Sequence, residues 1–193
     1  MTRPRSFDEP AVLAGAMHAF RRAGFAAISV RDLEQATGLS AGSIYNTYGD
    51  KAGLFDAAFA HYLEAVLRRR IARYADAGKG LVGVRRLFVS LLEEPAGECH
   101  GCLITNSAIE FGAGTDVRHR AVAAGFAILR EAIGERLIAA RKAGQLRDGV
   151  EPAIAAVKLI VLYQGVLVLV RAGYDKRGLK QAIHLEFDSL ERT

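Results

Sequence analysis

Two groups of residues in this 193-residue chain have types and a spacing that could do chemistry. The first is the segment ECHGC at 98–102, which holds the two cysteines of the sequence, Cys99 and Cys102. Two thiols at this spacing could form a redox disulfide, or could bind zinc together with His100. A thioredoxin-type pair needs an adjacent strand–helix unit, and a zinc site needs a second ligand cluster, and we find neither in the sequence. We therefore expect no metal and no cofactor. An alternative that stays open is that Cys102 is simply a small buried side chain.

The second group is a set of polar and small residues between positions 29 and 51, on two short predicted helices joined by residues 37–40. Helices of about two turns do not persist alone, so another element must hold them. A helix-turn-helix explains this spacing and leaves the start of the second helix free to enter a DNA major groove. The residues predicted to face inwards are Leu33, Ala36, Leu39 and Ile44.

The side chains on the outer face of this unit match the chemistry of DNA recognition. Asn46 could pair with an adenine edge and Arg31 with guanine or phosphate, while Ser29, Tyr45 and Lys51 could bind phosphate oxygens. The small residues at 41–43 would let the backbone approach DNA, where the positive end of the helix favours an anion. The alternative is a plain three-helix cluster with solvated polar residues. The predicted DNA-binding residues are Ser29, Val30, Arg31, Ala41, Gly42, Ser43, Tyr45, Asn46, Thr47 and Lys51.

The elements that must position these residues are helical throughout, because apolar residues recur at three- and four-residue steps and no run alternates like a strand. We predict an all-α fold. Ser29, with Asp32 three residues on, nearly matches a capping box, and Ser40 and Asp50 are further candidate N-caps. Residues 77–80 are the best linker candidate. The predicted helices cover 7–22, 30–37, 41–48, 50–75, 81–92, 102–112, 116–143, 152–172 and 177–190.

The composition narrows the class of protein. A chain that is 51% hydrophobic and 24% charged lies far from the composition of disordered proteins. Its net charge of +5 and sequence pI near 9.4 favour polyanionic partners or anionic lipid. The first ten residues lack the apolar core of a signal peptide, so we expect a cytoplasmic protein.

Residues 153–170 are almost long and apolar enough to cross a bilayer. Lys158 and Gln164 lie inside this stretch, and its flanks carry neither aromatic belts nor a strong Lys/Arg asymmetry. A helix buried on nearly all sides, as in a dimer core, explains the pattern better than a membrane anchor. We expect no membrane association.

The N-terminal third resembles the tetracycline-repressor (TetR) family of one-component bacterial regulators over residues 8–66. The resemblance lies in AMHAFRRAGF at 16–25, SVRDL at 29–33, TGLSAGSIYNTYGDK at 37–51, and the pair Leu54 and Phe55. It implies a DNA-reading unit at 29–48, with Tyr45 and Lys51 clamping the DNA backbone and Tyr48 as an aromatic plug in the core. Relatives commonly carry aromatic residues or histidine where Asn46 and Thr47 stand, so their base preference is not carried over.

The same resemblance implies two functional parts. Residues 6–66 would form a three-helix helix-turn-helix domain that binds DNA, and residues 67–193 a helical domain that binds a small-molecule effector and dimerises through its last two helices. A homodimer would place two reading helices about one DNA turn, roughly 34 Å, or a multiple of it apart on a near-palindromic operator of double-stranded DNA.

The segment GCLITNSAIE at 101–110 resembles one branch of the family, in which some members respond to electrophiles or oxidants through the cysteine that opens this helix. A helix N-terminus favours thiolate, which makes such sensing by Cys102 chemically reasonable. We also predict an apolar pocket with polar anchors, although such aromatic residues often simply form core. Its predicted residues are Phe88, Phe111, Phe126, Tyr163 and Gln164, with Asn106 or Glu110 as anchors.

The sequence thus predicts a transcriptional regulator, a repressor rather than an activator, that a small molecule, electrophile or oxidant releases from DNA. It is not expected to be an enzyme. The alternative from another class is a thiol redox enzyme that uses Cys99 and Cys102.

Overall fold

A computed structural model describes residues 7–93 and 100–192, and the regular elements in these ranges are helices. The predicted all-α fold class is confirmed, and an isolated antiparallel bridge joins Leu146 and Glu191. The α-helices are α1 (Glu9–Ala23), α2 (Val30–Thr37), α3 (Ala41–Tyr48), α4 (Lys51–Tyr62), α5 (Arg69–Tyr74), α6 (Gly80–Val89), α7 (Leu103–Phe111), α8 (Val117–Lys142), α9 (Pro152–Arg171) and α10 (Lys176–Leu190).

The N-terminal helices begin at polar side chains that cap them. The Ser29 hydroxyl oxygen accepts from the Asp32 N–H while the Asp32 carboxylate accepts from the Ser29 N–H, which is a complete capping box. Ser40 accepts from the Ser43 N–H at 3.2 Å, and Asp50 accepts from the Gly53 N–H at 2.7 Å. The N-caps predicted at Ser29, Ser40 and Asp50 are therefore confirmed.

The helix predicted at 50–75 is not uniform. After α4 the chain forms a π-helical segment, Leu63–Arg68, and α5 follows without a break. A π segment replaces i→i−4 hydrogen bonds by i→i−5 bonds and so changes the angular position of the residues that follow. The predicted linker at 77–80 contains a short 3₁₀ helix, Ala77–Lys79.

The chain divides into two compact units. The first contains residues up to Val66 together with Leu103–Val122, and the second contains Leu67–Cys102 and the chain from Ala123 onwards. This division differs from the predicted ranges 6–66 and 67–193 in one respect, because residues 103–122 belong to the N-terminal unit. Helix α7 and the first turns of α8 are therefore part of the compact body that contains the helix-turn-helix.

The core of the first unit is a cluster of phenylalanine rings. Phe55 is 2% exposed and contacts Phe20 edge-to-face at 5.0 Å between ring centroids and Phe59 at 5.7 Å. Phe111 of α7 joins the cluster at 5.4 Å from Phe55 and 5.6 Å from Phe25. Edge-to-face pairs stabilise beyond the area that they bury, so this cluster holds α7 to α1 and α4.

Two glycines let backbones approach closely in the first unit. A Cβ atom added to Gly15 of α1 would lie 2.1 Å from the Ala36 carbonyl oxygen of α2. A Cβ atom added to Gly53 of α4 would lie 1.9 Å from the Tyr48 carbonyl oxygen of α3. Both distances are shorter than any van der Waals contact, so α2 and α3 can reach their observed positions only because glycine is present.

The imidazole of His119 joins the start of α8 to the end of α7. Its Nδ1 lies 2.7 Å from Asp116 Oδ1, and its Nε2 lies 3.1 Å from the Phe111 carbonyl oxygen. The pKa of His119 is raised, mainly by its hydrogen bond to the Asp116 carboxylate and to a smaller degree by its hydrogen bond to the Phe111 carbonyl. Because both partners can only accept, the protonated imidazole, which has two N–H groups, fits this site better than the neutral ring.

The core of the second unit has its own aromatic centre. Phe88 of α6 contacts Tyr163 of α9 at 5.4 Å and Phe187 of α10 at 5.2 Å, both nearly edge-to-face. The Arg85 guanidinium lies 2.8 Å from carboxylate oxygens of both Asp188 and Glu191. These contacts join α6 to the C-terminal helix.

Helix α9 has two different apolar faces. One is buried within the second unit and includes Leu159, Tyr163 and Val166, which are at most 3% exposed. The other is exposed, and its residues follow three- and four-residue steps: Ile154, Val157, Val161, Gly165 and Val168. By length and mean hydropathy (2.3) α9 is long and apolar enough to span a membrane, and 39% of its apolar stretch is buried inside the protein.

Candidate nucleic-acid interface

The two short helices α2 and α3 form a compact pair whose inner and outer faces are clearly different. Leu33 and Ile44 are completely buried and Leu39 is 9% exposed, as predicted for the inner face. Ala36, predicted to face inwards as well, is half-buried. Gly38 takes a left-handed conformation (φ 71°) that ends α2 and directs the chain into α3. The Thr37 hydroxyl donates to the Leu33 carbonyl at 2.6 Å and accepts from the Leu39 N–H at 3.2 Å, which fixes the turn.

The predicted DNA-binding residues lie on this pair but differ in exposure. Tyr45 is 48% exposed. Arg31, Gly42 and Asn46 are also exposed on α2 and α3. The remaining members on these helices are half-buried: Val30, Ala41, Ser43 and Thr47.

The N-terminus of α3 already binds the side chain of Glu34. A carboxylate oxygen of Glu34 accepts from the Ala41 N–H at 2.5 Å, and Ser40 accepts from the Ser43 N–H. We predicted an external anion at this end of the helix, but two of its first N–H groups are engaged internally. A phosphate would meet the charge of Glu34 there, so the dipole of α3 does not by itself explain DNA binding.

Ser29 is engaged within its own helix start. Its hydroxyl donates to Asp32 Oδ2 at 2.6 Å. The hydrogen bonds from Ser29, the side-chain bond first, lower the pKa of Asp32, so the capping carboxylate stays charged at neutral pH. A phosphate oxygen needs a donor, and in this geometry the Ser29 hydroxyl proton is directed to Asp32. The phosphate contact of Ser29 stays a prediction.

Lys51 faces the loop between α1 and α2. Its ammonium donates to the Ile28 carbonyl at 2.6 Å and lies 3.5 Å from the Ala26 carbonyl. It also lies 4.9 Å from the centre of the Phe25 ring. Only one further N–H remains for DNA, so Lys51 first of all attaches the start of α4 to the loop that precedes the reading unit.

Sequence reasoning missed the contribution of α7 to this unit. Both carboxylate oxygens of Glu110 accept from backbone N–H groups of the α1–α2 loop, and the Asn106 amide donates to the Arg21 carbonyl at 3.1 Å. We predicted Asn106 and Glu110 as polar anchors of an effector pocket. In the structure both side chains hold α7 to the N-terminal helices. These contacts join residues about 85 positions apart, and no local pattern could have indicated them.

The other predicted pocket residues belong to the second unit, apart from Phe111, whose place in the ring cluster is given above. Phe88 and Tyr163 are in contact within its aromatic centre, and Phe126 and Gln164 are half-buried. A cavity of about 260 Å³ lies elsewhere in this unit and has none of these residues in its wall. It is lined by Arg68, Ile71, Ala72, Ile128, Glu131, Ala132, Glu135 and Arg136. The effector site stays a prediction.

Of the two cysteines, Cys102 is buried (2% exposed) and directly precedes α7, whereas Cys99 lies outside the described residues. The carbonyl of His100 accepts from the Arg171 guanidinium at 3.2 Å. Among the residues that the structure describes, no group of three His, Cys, Asp or Glu side chains could hold a metal ion.

Two family models match the chain. Residues 12–58 match the model described as bacterial regulatory proteins of the tetR family, and residues 81–185 match the tetracyclin repressor-like C-terminal domain. The first match includes the whole α2–α3 pair.

Curated relatives match over nearly their full length. The HTH-type transcriptional repressor AcnR of Corynebacterium efficiens is 30% identical over 94% of this chain and 91% of the relative. AcnR of Corynebacterium glutamicum is 30% identical over 90% of this chain and 87% of the relative. The HTH-type transcriptional repressor Rv1474c of Mycobacterium tuberculosis is 30% identical, over 94% and 92%.

Solved structures share the fold. A TetR transcriptional regulator from Chloroflexus aurantiacus is 27% identical and superimposes with a TM-score of 0.80 over 94% of this chain and 95% of that chain. A cysteine mutant of the TetR family regulator CifR, complexed with 26bp double-strand operator DNA, superimposes with a TM-score of 0.81 over 98% of this chain and 100% of that chain, at 24% identity.

Proposed function

Because the chain belongs to the TetR family of bacterial transcriptional regulators, we propose that it is a one-component repressor that binds a near-palindromic operator as a homodimer. The observation that carries this proposal is the α2–α3 pair, in which capping, a left-handed glycine and close packing against α1 and α4 hold an exposed face containing Tyr45 and Asn46. A face built so rigidly and left open to solvent suits a rigid external partner such as the DNA major groove.

Within that groove each residue has a proposed role. Asn46 reads one base edge, preferably adenine, and Arg31 binds guanine or a phosphate. Tyr45 binds the DNA backbone, and Gly42 allows the close approach of α3, with Ala41, Ser43 and Thr47 beside it. Val30 and Ser29 lie at the start of α2, and Lys51 supports the unit from the start of α4.

The exposed apolar face of α9 supports the homodimer. Val161 is 68% exposed, Ile154 64% and Val157 55%, and Leu185 of α10 is 63% exposed. Exposure of such an apolar face to water is unfavourable, and a second copy would cover it symmetrically. A dimer also supplies two reading helices for the two halves of the operator. This account needs no membrane for α9, and we place the protein in the cytoplasm.

The release of DNA would start in residues 67–193 with a small-molecule effector or with modification of Cys102. Binding that differs between the DNA-bound and the free conformation shifts the population towards the free form. The proposed protein is a regulator and not an enzyme, and the relatives give no support to a thiol redox enzyme that uses Cys99 and Cys102.

A footprinting titration of the DNA upstream of its own gene with the purified full chain tests the proposal. We expect one protected segment with two similar half-sites, and binding that a scrambled duplex of equal length and charge does not show at the same salt concentration. Sedimentation of the free protein should give a dimer. A monomer with equal affinity for both duplexes would contradict the proposal.

A further inference from the structure

The loop between α1 and α2 connects the helix that supports the reading unit to the reading unit itself. It begins at Gly24, whose backbone has φ 82°, and ends at Ser29, the N-cap of α2. Four residues lie between them, so the position of this loop determines where α2 starts.

The carboxylate of Glu110 accepts hydrogen bonds from two backbone N–H groups of this loop. Glu110 Oε2 accepts from the Phe25 N–H at 2.8 Å, and Glu110 Oε1 accepts from the Ala26 N–H at 2.5 Å. Hydrogen bonds to an ionised acceptor are shorter and stronger than neutral ones, and two parallel bonds also fix the direction of the group. The space beside Gly24 is filled as well, since an added Cβ atom would lie 3.2 Å from Glu110 Oε2.

The ammonium group of Lys51 binds a backbone carbonyl of the same loop. The Lys51 ammonium donates to the carbonyl of Ile28, so the loop lies between one negative and one positive side chain. These two side chains come from α7 and from the start of α4, which are distant in sequence. The loop is thus fixed from two directions by groups of opposite charge.

Further contacts make α7 a firm support. Asn106 binds the Arg21 carbonyl one turn before Glu110, and Phe111 packs against Phe25 and Phe55. The Arg118 guanidinium at the start of α8 lies 4.8 Å from the centre of the Phe25 ring. Glu110 therefore acts from a helix that is itself held in place.

We propose that Glu110 is a positioning residue for DNA recognition, which acts without touching DNA by fixing the loop from which α2 and α3 emerge. This proposal deepens the proposed function and depends on it. It also gives the segment 103–122 a role in operator binding, although neither family model assigns it to the DNA-binding part. Glu110 thereby supports the reading unit.

The chemistry of the site predicts a graded series of variants. Glu110→Gln keeps the shape but has only one oxygen that can accept, so one loop N–H loses its partner. Glu110→Ala removes both acceptors. Each change also removes a negative charge, which alone would strengthen binding to any DNA. The matched control is Glu131→Gln, which removes the same charge from an exposed position of α8.

The experiment measures operator and scrambled-duplex affinity of the full-length variants at one salt concentration, together with amide hydrogen exchange of Phe25 and Ala26. We expect Glu110→Ala to lose operator affinity by about tenfold relative to Glu131→Gln, with Glu110→Gln between them, while affinity for the scrambled duplex stays equal to that of the control. Exchange at Phe25 and Ala26 should become faster in the same order.

Two results separate the two proposals. If the unchanged protein does not prefer its operator, the proposed function fails. If the unchanged protein binds its operator and Glu110→Ala binds it as tightly as Glu131→Gln does, then the positioning role fails and the proposed function stands. Should Glu110→Ala not fold, the comparison of Glu110→Gln with Glu131→Gln decides, and equal operator affinities there would overturn the positioning role.

Discussion

The ammonium of Lys51 donates to the Ile28 carbonyl oxygen at 2.6 Å, so the first residue of α4 is bonded to the residue that precedes the N-cap of α2. The family resemblance predicted a different use for this lysine, as a clamp on the DNA backbone. The two roles are separable because a phosphate contact changes the salt dependence of binding and a support within the protein does not.

For Lys51→Met we expect weaker operator binding with an unchanged slope of the logarithm of the binding constant against the logarithm of the salt concentration. The reason is that the hydrogen bonds of its ammonium go to protein carbonyls. The slope is measured by fluorescence anisotropy at several salt concentrations, with Lys176→Met at the start of α10 as control. A slope smaller by about one would instead assign Lys51 to a phosphate.

Substitutions of Asn46 and Tyr45 should affect DNA binding in different ways. Asn46→Ala should relax the preference at one base pair in each half-site, because an amide that pairs with a base edge discriminates by roughly 1–3 kcal/mol. Tyr45→Ala should weaken binding to all operator variants to a similar degree, since backbone contacts carry no sequence information. A panel of operators with single substitutions separates the two, and unchanged discrimination in Asn46→Ala would exclude this residue from base recognition.

Gly53→Ala should disrupt the α3–α4 junction. An added Cβ atom would lie 1.9 Å from the Tyr48 carbonyl, and backbone must move to relieve the clash, at a cost of about 1–3 kcal/mol or more. Urea unfolding measures the change. Gly134→Ala in α8 is the control, because its added Cβ meets nothing within 4 Å and should stabilise the helix by roughly 0.5–1 kcal/mol. Equal stability of the two variants would show that the close approach is unimportant.

The stability of the first unit should depend on pH through His119. The pKa of His119 is raised in the folded protein, so its stabilising effect is complete below the ordinary value of about 6.5 and is lost as pH rises through the folded-state value. The unchanged protein should therefore be more stable than His119→Gln below pH 6.5, and this difference in the free energy of unfolding should shrink as the pH rises above that value. His184→Gln in α10 serves as control, and a constant difference across this range would contradict the prediction.

Val161→Lys should weaken the dimer. Val161 is 68% exposed in the middle of the apolar stripe of α9, and a second copy would have to bury two lysines in place of two valines. Sedimentation equilibrium should show dissociation at concentrations where the unchanged protein is dimeric. Val82→Lys on α6, where the valine is 46% exposed, provides a matched surface change. A dimer of unchanged stability would place the interface elsewhere.

Much of the fold could be predicted because its signals are local. The caps at Ser29, Ser40 and Asp50 lie within three residues of the N–H groups that they bind, and periodicity located the long helices to within a few residues. The inner residues Leu33 and Ile44 followed from the same periodicity. The π segment at Leu63–Arg68 could not be predicted, since the apolar steps of the sequence fit an ordinary α-helix there as well.

The site was predicted less completely, because several of its supports come from distant parts of the chain. No local pattern marks Glu34 as a partner of α3, yet it accepts from the first N–H of α3 seven residues later. Asn106 and Glu110 have the polarity of pocket anchors, and only the folded chain shows that their partners are backbone groups of α1 and the loop after it. Residue type indicated that they bind something, but not what.

The membership of α7 in the N-terminal unit has a practical consequence for chimeric regulators. A DNA-binding part cut after residue 66 and fused to a foreign sensor would leave Phe55 without its contact to Phe111 and the amides of Phe25 and Ala26 without their acceptor. A transplant that also carries residues 103–122 would keep both. In this protein the portable module is therefore discontinuous in sequence, and grafting should follow the contacts of Phe111 and Glu110 and not the order of the chain.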